Sequence, residues 1–327
     1  MHLDRRLLGW GIFLVLLGAV PLAVRQGALP AETVARAWTL WPLLLVAAGI
    51  GILLRRTPLE VVGTLLSAAT LGLIGGGLLA GGFPLFGSCG GGDDSRDSVP
   101  FATQQGQLGP TATVDLTLNC GGLTVQTAEG SAWSVEGVGD RDGPRIDASQ
   151  TALRVASRSR DALSFIGSTN RWVVRLPTAS RLDVHAQVNA GTGRFDLASA
   201  QLGRVEIGAN AGDVTIDLSR VASIGDLDVT MNAVGNSRIL LPNLDLRGSV
   251  DANATGSIRL CPPSGAGLRL TPNDNPTSSN NYAERGLVRK GDAWETPNFA
   301  TADVQIELET SVNAGSFNLE QEGTCSG

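Results

Sequence analysis

The sequence predicts an all-β solenoid, similar to a single-stranded β-helix with coils of about 21 residues, placed C-terminal to a three-helix transmembrane region. Two observations predict it. Between Leu182 and Leu260 an apolar alternation, an Asn and a small residue recur as a unit, and self-similarity at such a period is typical of stacked repeats. The first 87 residues are mostly apolar and the rest are Gly-rich and acidic. The Asn of successive units are Asn189, Asn210, Asn232 and Asn253.

The charge balance separates the chain of 327 residues into the same two parts. Residues 1–87 contain six Arg and three acidic residues, whereas residues 88–327 contain 19 basic and 28 acidic residues. Phosphate binding needs Lys and Arg focused on one surface. An acidic β region without a basic cluster therefore argues against nucleic acid as a partner.

Three apolar runs, 7–24, 37–54 and 61–86, are long enough to cross a bilayer as helices. Pro21 and the small residues that follow the first run leave a cleaved signal peptide as the alternative for that segment. The third run carries two G-x-x-x-G patterns, which favour close helix contacts and self-association. Their glycines are Gly72, Gly76, Gly77 and Gly81.

The arginines beside these runs predict the orientation in the membrane. Arg25 and Arg36 fall on the opposite side of the predicted bilayer from the other four, which are Arg5, Arg6, Arg55 and Arg56. The positive-inside rule then places the N-terminus in the cytoplasm. We therefore expect a multi-pass protein of the cytoplasmic membrane with an extracytoplasmic C-terminal domain. Cleavage of the first run would leave this result unchanged.

Residues 88–110 are rich in Gly and Asp and predict a flexible linker. The chain has four cysteines, and three disulfide pairings are open to them. Each of the two that lie in regular coils could equally be a buried thiol. The four are Cys89, Cys120, Cys261 and Cys325.

The solenoid is predicted over residues 111–322, because Asn119 and Asn313 lie in outlying copies of the repeated pattern. Asn tolerates the left-handed backbone that a sharp corner needs, and stacked Asn can form an amide ladder. A ligand track along the ladder is the alternative. The repeat breaks at residues 271–300, which are rich in Asn, Pro, Ser and Thr. This insertion is a long loop or irregular coil, and it either caps the stack or binds a partner.

The sequence offers no catalytic, cofactor-binding or metal site. No His pair, Cys-x-x-Cys, Ser elbow, P-loop or dinucleotide fingerprint occurs. His185 is predicted to point outward from a strand. Asp213 and the run 273–275 are weak calcium candidates. A carboxylate pair like that of solenoid glycosidases remains the enzymatic alternative, with Arg194 and Arg238 as neutralising neighbours. Its candidate members are Asp196, Asp217 and Asp228.

The run from Gly9 to Gly18, followed by Trp41-Pro42-Leu43-Leu44-Leu45, resembles the transmembrane region of the LiaI and LiaF envelope-stress proteins of bacteria. The strand at 172–177, Leu182-Asp183-Val184 and the Asn-Ala-Gly turns resemble the adhesin-like β-solenoid known as the toastrack domain. The resemblance brings no catalytic motif, no cofactor and no metal. It implies a role in envelope-stress sensing or signalling.

These observations together predict a non-enzymatic protein whose membrane anchor carries an extracytoplasmic solenoid. The solenoid acts in envelope-stress signalling or as an interaction scaffold. Its expected partners are the lipid bilayer and a protein of the membrane or envelope. A surface adhesin or glycan-binding module is the alternative function, and a polysaccharide hydrolase is the third.

Overall fold

The computed structural model describes residues 14–15, 99–139, 142–158, 170–273, 278–320 and 325. The chain divides into two compact units, Met1–Ser88 and Cys89–Gly327. The three predicted membrane helices and the G-x-x-x-G glycines lie outside the described residues, apart from the helical pair Leu14 and Val15. None of the helices within the described ranges combines the length and apolar character needed to cross a membrane.

The second unit is built almost entirely from β-strands. A single 3₁₀ turn, Phe299–Thr301, accompanies them in the described part of this unit. The strands are β1 Val99–Pro100, β2 Gln104–Gln107, β3 Thr111–Leu118, β4 Gly121–Ala128, β5 Ala132–Gly139, β6 Arg145–Ala148, β7 Ala152–Ala156, β8 Asn170–Pro177, β9 Arg181–Val188, β10 Gly191–Asp196, β11 Gln201–Asp217, β12 Asp226–Leu240, β13 Leu246–Cys261, β14 Gly267–Pro272, β15 Ser278–Asn280, β16 Val288–Lys290, β17 Ala293–Glu295 and β18 Gln305–Leu319.

The stack consists of rungs that turn a corner just after an Asn. A rung is β3 with β4, β9 with β10, or one of the long strands β11, β12, β13 and β18. The arms before the corner pair in parallel as one sheet, here called the first-arm sheet. The arms after the corner pair in parallel as the second-arm sheet. The predicted all-β, solenoid-like architecture is therefore confirmed for this unit.

Strict alternation along each arm places one set of side chains inside. In β9, Leu182, Val184, Ala186 and Val188 are each at most 2% exposed, while the residues between them are exposed or half-buried. Phe195 in β10, which belongs to the second arm, is also completely buried. Both arms contribute to one hydrophobic cluster. Removal of this apolar area from water is the main stabilising contribution, about 25 cal/mol per Å².

The Asn residues form the predicted amide ladder along the corner. Each Asn after Asn119 donates a side-chain N–H to the side-chain oxygen of the Asn in a neighbouring rung, as in the bond from Asn210 to Asn189 at 2.7 Å. The remaining bonds are Asn189 to Asn119 (3.0 Å), Asn232 to Asn210 (2.6 Å), Asn253 to Asn232 (2.6 Å) and Asn313 to Asn253 (2.8 Å).

The left-handed backbone predicted for these Asn is wrong. Among the described residues, Ser199 is the one non-glycine residue with positive φ. The strained conformation belongs instead to the Gly two positions after the Asn, with φ of 120° at Gly191 and 116° at Gly212. A Cβ on Gly212 would also lie 1.6 Å from the carbonyl oxygen of Gly191. These glycines are therefore required both by φ and by the close approach of the next rung.

The corners of β12 and β13 are one residue longer than those of the other rungs. The register between β11 and β12 shifts between Gly212 and Val214, and that between β13 and β18 shifts between Ala254 and Ser257. The glycines of the longer corners have no positive φ. An extra residue supplies the bend that a left-handed Gly supplies elsewhere, as in a β-bulge.

The order of the rungs departs from chain order at both ends of the stack. The first rung, β3 with β4, lies between β9–β10 on one side and β7 and β8 on the other. The last strand, β18, lies between β13 on one side and β14 and β15 on the other. The two ends are thus covered by two excursions, one between β4 and β9 and one between β13 and β18.

The C-terminal part of the predicted linker pairs with a strand of the first of these excursions. Its residues 88–98 lie outside the described part, but β1 and β2 pair antiparallel with β5. Phe101 and Leu108 are buried at 8% and 4% exposure. These apolar side chains explain why residues from 99 onward belong to the folded unit.

The second excursion lies between β13 and β18 and contains the predicted insertion. There β14 pairs with β18, β17 pairs antiparallel with β14, and β16 pairs with β17. Tyr282 is completely buried, with its ring centroid 6.1 Å from that of Trp294 and 5.9 Å from that of Phe317. The aromatic side chains of this insertion therefore pack inward at the end of the stack. We call strands β14 to β17 the C-terminal cap.

Cys261, the last residue of β13, forms a disulfide with Cys325, with 6.0 Å between their Cα atoms. This is one of the pairings that the sequence left open. Cys120 is also disulfide-bonded, and Cys89 lies outside the described residues. The bond closes a loop of 64 residues that contains the C-terminal cap and β18.

Candidate interaction surface

The outward side of the first-arm sheet carries an excess of negative charge. The alternation that buries one side chain in two aims the others at solvent, in register from rung to rung. We call this surface the acidic face. It has three Arg, which are Arg181, Arg204 and Arg247. Its eight acidic residues are Asp115, Asp183, Glu206, Asp226, Asp228, Asp251, Glu307 and Glu309.

At one end of the acidic face, the carboxylates have positively charged or titratable neighbours. Glu206 lies 2.9 Å from Nδ1 of His185 and 3.4 Å from Nη1 of Arg204. Asp115 lies 3.4 Å from Arg154. His185 is therefore outward-facing, as predicted, and it sits between two carboxylates in register. Exposed pairs of this kind contribute little to stability, with a median below about 1 kcal/mol.

Five carboxylates of the face have no ion pair with any described residue: Asp183, Asp226, Asp228, Asp251 and Glu309. The last three lie near one another on β12, β13 and β18. Asp228 accepts a hydrogen bond from the Ser249 hydroxyl at 3.1 Å, and Glu309 lies opposite Ser249 on its other side. Asp251 follows two residues later on β13, opposite Thr230 and Ser311. Partial burial raises the pKa of Asp251, and the negative charges of Asp228 and Glu309 raise it further. The like charges repel one another, so a cationic group placed over them would be favoured.

Within the described ranges, no group of three or more His, Cys, Asp or Glu side chains has the spacing to hold a metal ion. Asp213, a calcium candidate from the sequence, accepts a hydrogen bond from the backbone N–H of Asn236 at 2.8 Å. This carboxylate therefore fixes the longer corner of the next rung. Asn273 is described, whereas the other two residues of the second candidate lie outside the described part.

The predicted carboxylate pair is on the outward side of the second-arm sheet. Asp196 and Asp217 are register neighbours in β10 and β11. Arg220 donates to Asp196 at 3.2 Å, and Ser219 donates both its backbone N–H and its hydroxyl to Asp217, at 3.0 and 2.6 Å. Each carboxylate is thus held by its own partner.

The cation that neutralises this pair is not one that the sequence indicated. Arg194 and Arg238 make no ion pair with a described residue, whereas Arg220 does. Arg220 lies in the turn after β11, three residues beyond Asp217. The alternation pattern identified outward strand residues and carried no information on turn residues. The third candidate, Asp228, lies on the other sheet, so the structure does not bring the three acids together.

The C-terminal cap holds its own ionic cluster at the end of the acidic face. Glu295 accepts from Nζ of Lys290 at 2.9 Å and from Nε of Arg269 at 2.7 Å. These two hydrogen bonds, that from Lys290 first, lower the pKa of Glu295. The Arg269 guanidinium also lies 4.2 Å from the ring centroid of Phe299 and 3.7 Å from Glu307. This cluster joins the cap to β18 and leaves Asp228, Asp251 and Glu309 without an ion pair to any described residue.

Residues 103–240 match the N-terminal domain of toast_rack, DUF2154. The match begins just before β2 and ends with β12, so it includes both arms of four rungs. It supports a toastrack domain in this part of the chain. No protein with a curated description matches the sequence.

Three solved structures are similar to the chain over about two thirds of its length. A candidate cell adhesion protein from Clostridium sporogenes is 15% identical, with 68% of this chain and 100% of that chain covered and a TM-score of 0.47. A candidate adhesin from Bacteroides fragilis is 10% identical, with 67% and 96% covered and a TM-score of 0.21. A candidate lipid-binding protein from Parabacteroides distasonis is 9% identical, with 68% and 97% covered and a TM-score of 0.24.

Proposed function

We propose that this protein is a non-enzymatic interaction module, whose toastrack domain is anchored to the cytoplasmic membrane and presents the acidic face outside the cell membrane. Its role is envelope-stress sensing or signalling through a protein partner. The observation that carries the proposal is the group of carboxylates at Asp228, Asp251 and Glu309, which lie on a rigid sheet without a compensating cation among the described residues.

The extracytoplasmic location rests on two independent observations. The arginines that flank the apolar runs favour a cytoplasmic N-terminus and three crossings. The disulfide between Cys261 and Cys325 supports the same side, because disulfides persist in oxidising compartments and are rare in the cytosol. Both point to a solenoid displayed outside the cytoplasm.

The acidic face is suited to recognition because of its rigidity. Its carboxylates project from strands that are hydrogen-bonded on both sides, so binding costs little ordering of the backbone. A field of one sign accelerates encounter with an oppositely charged partner and discriminates against acidic ones. These properties favour a basic segment of a membrane or envelope protein as the partner.

Cross-linking in intact membranes tests the proposal. A photoreactive amino acid replaces Thr230, which is exposed on β12 within the acidic face, and captured partners are identified by mass spectrometry. The chain that carries Asp228→Asn, Asp251→Asn and Glu309→Gln should lose the captured protein. A matched chain with Glu284→Gln, Asp292→Asn and Asp303→Asn, all exposed and outside the strands of the acidic face, should keep it.

The identity of the captured species separates the functions. A basic membrane or envelope protein that is lost only from the first variant supports the proposal. Capture of a glycan, or of nothing that depends on the three carboxylates, would favour the adhesin or glycan-binding alternative. Release of sugar from cell-wall or exopolysaccharide preparations, abolished by Asp196→Asn, would make the protein an enzyme.

A further inference from the structure

The last strand of the chain holds the C-terminal cap on the stack. In the first-arm sheet β18 pairs with β13 through residues 306–312, and it pairs with β14 on its other edge. In the second-arm sheet it lies between β13 and β15. Among the described strands, neither β14 nor β15 pairs with β13. Without β18, a slot one rung wide would separate the cap from the stack.

Both walls of this slot precede β18 in the chain. Until β18 is in place, β13, β14 and β15 each have an edge that pairs with none of the other described strands. Unpaired strand edges are the strongest templates for strand addition, and exchange of an identical element between copies is a low-cost route to dimers. The connection from the 3₁₀ turn to β18 is only three residues, 302–304, and short hinges favour exchange over closure within one chain.

The slot selects a specific strand. Its interior takes the apolar side chains of β18, such as Phe317, which is completely buried. At the corner, Asn313 donates to Asn253 at 2.8 Å, and a Cβ on Gly315 would lie 2.2 Å from the carbonyl oxygen of Thr255. A strand that fills the slot must have an Asn, then a Gly, then a large aromatic residue at these spacings. The strand that meets these conditions is β18 itself.

We propose that the slot between β13 and β14–β15 is a strand-exchange site, in which β18 of a second copy of this chain takes the place of the chain's own β18. In the closed form the slot holds the chain's own β18, and in the swapped form it holds β18 of the second copy. Both forms make the same contacts within the slot, so the choice between them depends on the concentration of chains while they fold. The disulfide from Cys261 to Cys325 then fixes whichever β18 is present, because the backbone N–H of Glu320 already donates to Leu260 beside it at 3.0 Å.

Two complementary variants test the exchange. One full-length chain carries Cys261→Ser and keeps Cys325, and the other carries Cys325→Ser and keeps Cys261. Neither can form the bond within one chain. Co-expression followed by oxidised glutathione should give a covalent heterodimer, as two protein thiols and one glutathione disulfide become one protein disulfide and two glutathione thiols. Non-reducing electrophoresis measures the heterodimer, and peptide mapping should place the bond between Cys261 and Cys325.

Three controls make the result decisive. Variants expressed separately and mixed after folding should give no heterodimer, because each slot is already filled. Gly315→Val in the chain that keeps Cys325 should abolish the cross-link. A chain with both cysteines replaced and Ser219→Cys carries an exposed thiol outside the slot and measures random collision with Cys261, which is itself buried at 4% exposure. The proposal is overturned if co-expression gives no heterodimer, or if the Ser219→Cys chain gives as much.

Discussion

Replacement of one Asn in the middle of the amide ladder should destabilise the whole stack measurably. Asn210 donates to Asn189 at 2.7 Å and accepts from Asn232 at 2.6 Å, so Asn210→Ala removes two hydrogen bonds. A typical net contribution is about 0.5–1.5 kcal/mol per bond, which gives about 1–3 kcal/mol in total. Asn210 is half-buried, so water can hydrogen-bond some of the amide groups that lose their partners. The loss is therefore expected in the lower half of this range.

The measurement is thermal unfolding of the full chain in detergent, followed by the circular dichroism of its strands. For a folded unit of this size, 1 kcal/mol corresponds to a shift of about 2–4 °C in Tm. Thr230→Ala is the matched control, because Thr230 is an outward residue of the neighbouring rung outside the ladder. Asn210→Val should cost about as much as Asn210→Ala, since Asn210 does not have positive φ. Equal Tm values for Asn210→Ala and Thr230→Ala would refute the ladder's contribution.

Three further predictions follow from the corner, the acidic face and the disulfide. Gly191→Ala should prevent folding, because its Cβ would lie 1.8 Å from the carbonyl oxygen of Gly121. The control Gly130→Ala, at a position with positive φ but nothing within 4 Å, should cost only about 1–2 kcal/mol. The two variants are compared by their soluble yield and their Tm. Asp251→Asn should raise stability at pH 7 only slightly, because solvent screens the repulsion at this exposed side chain. Urea titrations at decreasing pH should show this advantage disappear, because the raised pKa means that the folded state holds the Asp251 proton more tightly than the unfolded chain does. Cys325→Ser should lower the free energy of unfolding by about 4 kcal/mol, since the bond closes a loop of 64 residues. The reduced wild-type chain should lose at least as much, because reduction also breaks the disulfide of Cys120, and no loss in Cys325→Ser would contradict the prediction.

The alternation and the spacing of the Asn were sufficient to predict the rungs and the ladder. Both signals are local: residues two apart share a face of a strand, and a period of about 21 residues aligns the Asn of adjacent rungs. The role of the Gly was missed, although the Asn-Ala-Gly sequence contains it. Asn and Gly both tolerate left-handed backbone, and only the approach of the Gly191 carbonyl to Gly212 shows which of the two needs it.

The positions of the terminal rungs and the pairing of the cysteines could not be predicted from local pattern. Asn119 and Asn189 are ladder neighbours although 70 residues separate them, and Asn253 and Asn313 are 60 residues apart. Alternation in β18 shows that it is a strand with one buried face, but it does not show which edges it pairs with. The same limit applies to Arg220, whose contact with Asp196 depends on where a turn lies relative to the rung beside it.

The ladder has a further role at the point where the chain order is broken. Because side chains alternate, a slip of β18 by one residue would expose its buried face and bury its charged one. A left-handed Gly cannot set this register against β13, since the corner of β13 is one residue longer and its Gly has no positive φ. The bond from Asn313 to Asn253 lies just before the mismatch, which falls between Ala254 and Ser257, and the two strands resume pairing at Ser257 and Ser316. The Asn therefore fixes register where the Gly pattern changes, which explains why the ladder continues through rungs whose corners differ in length.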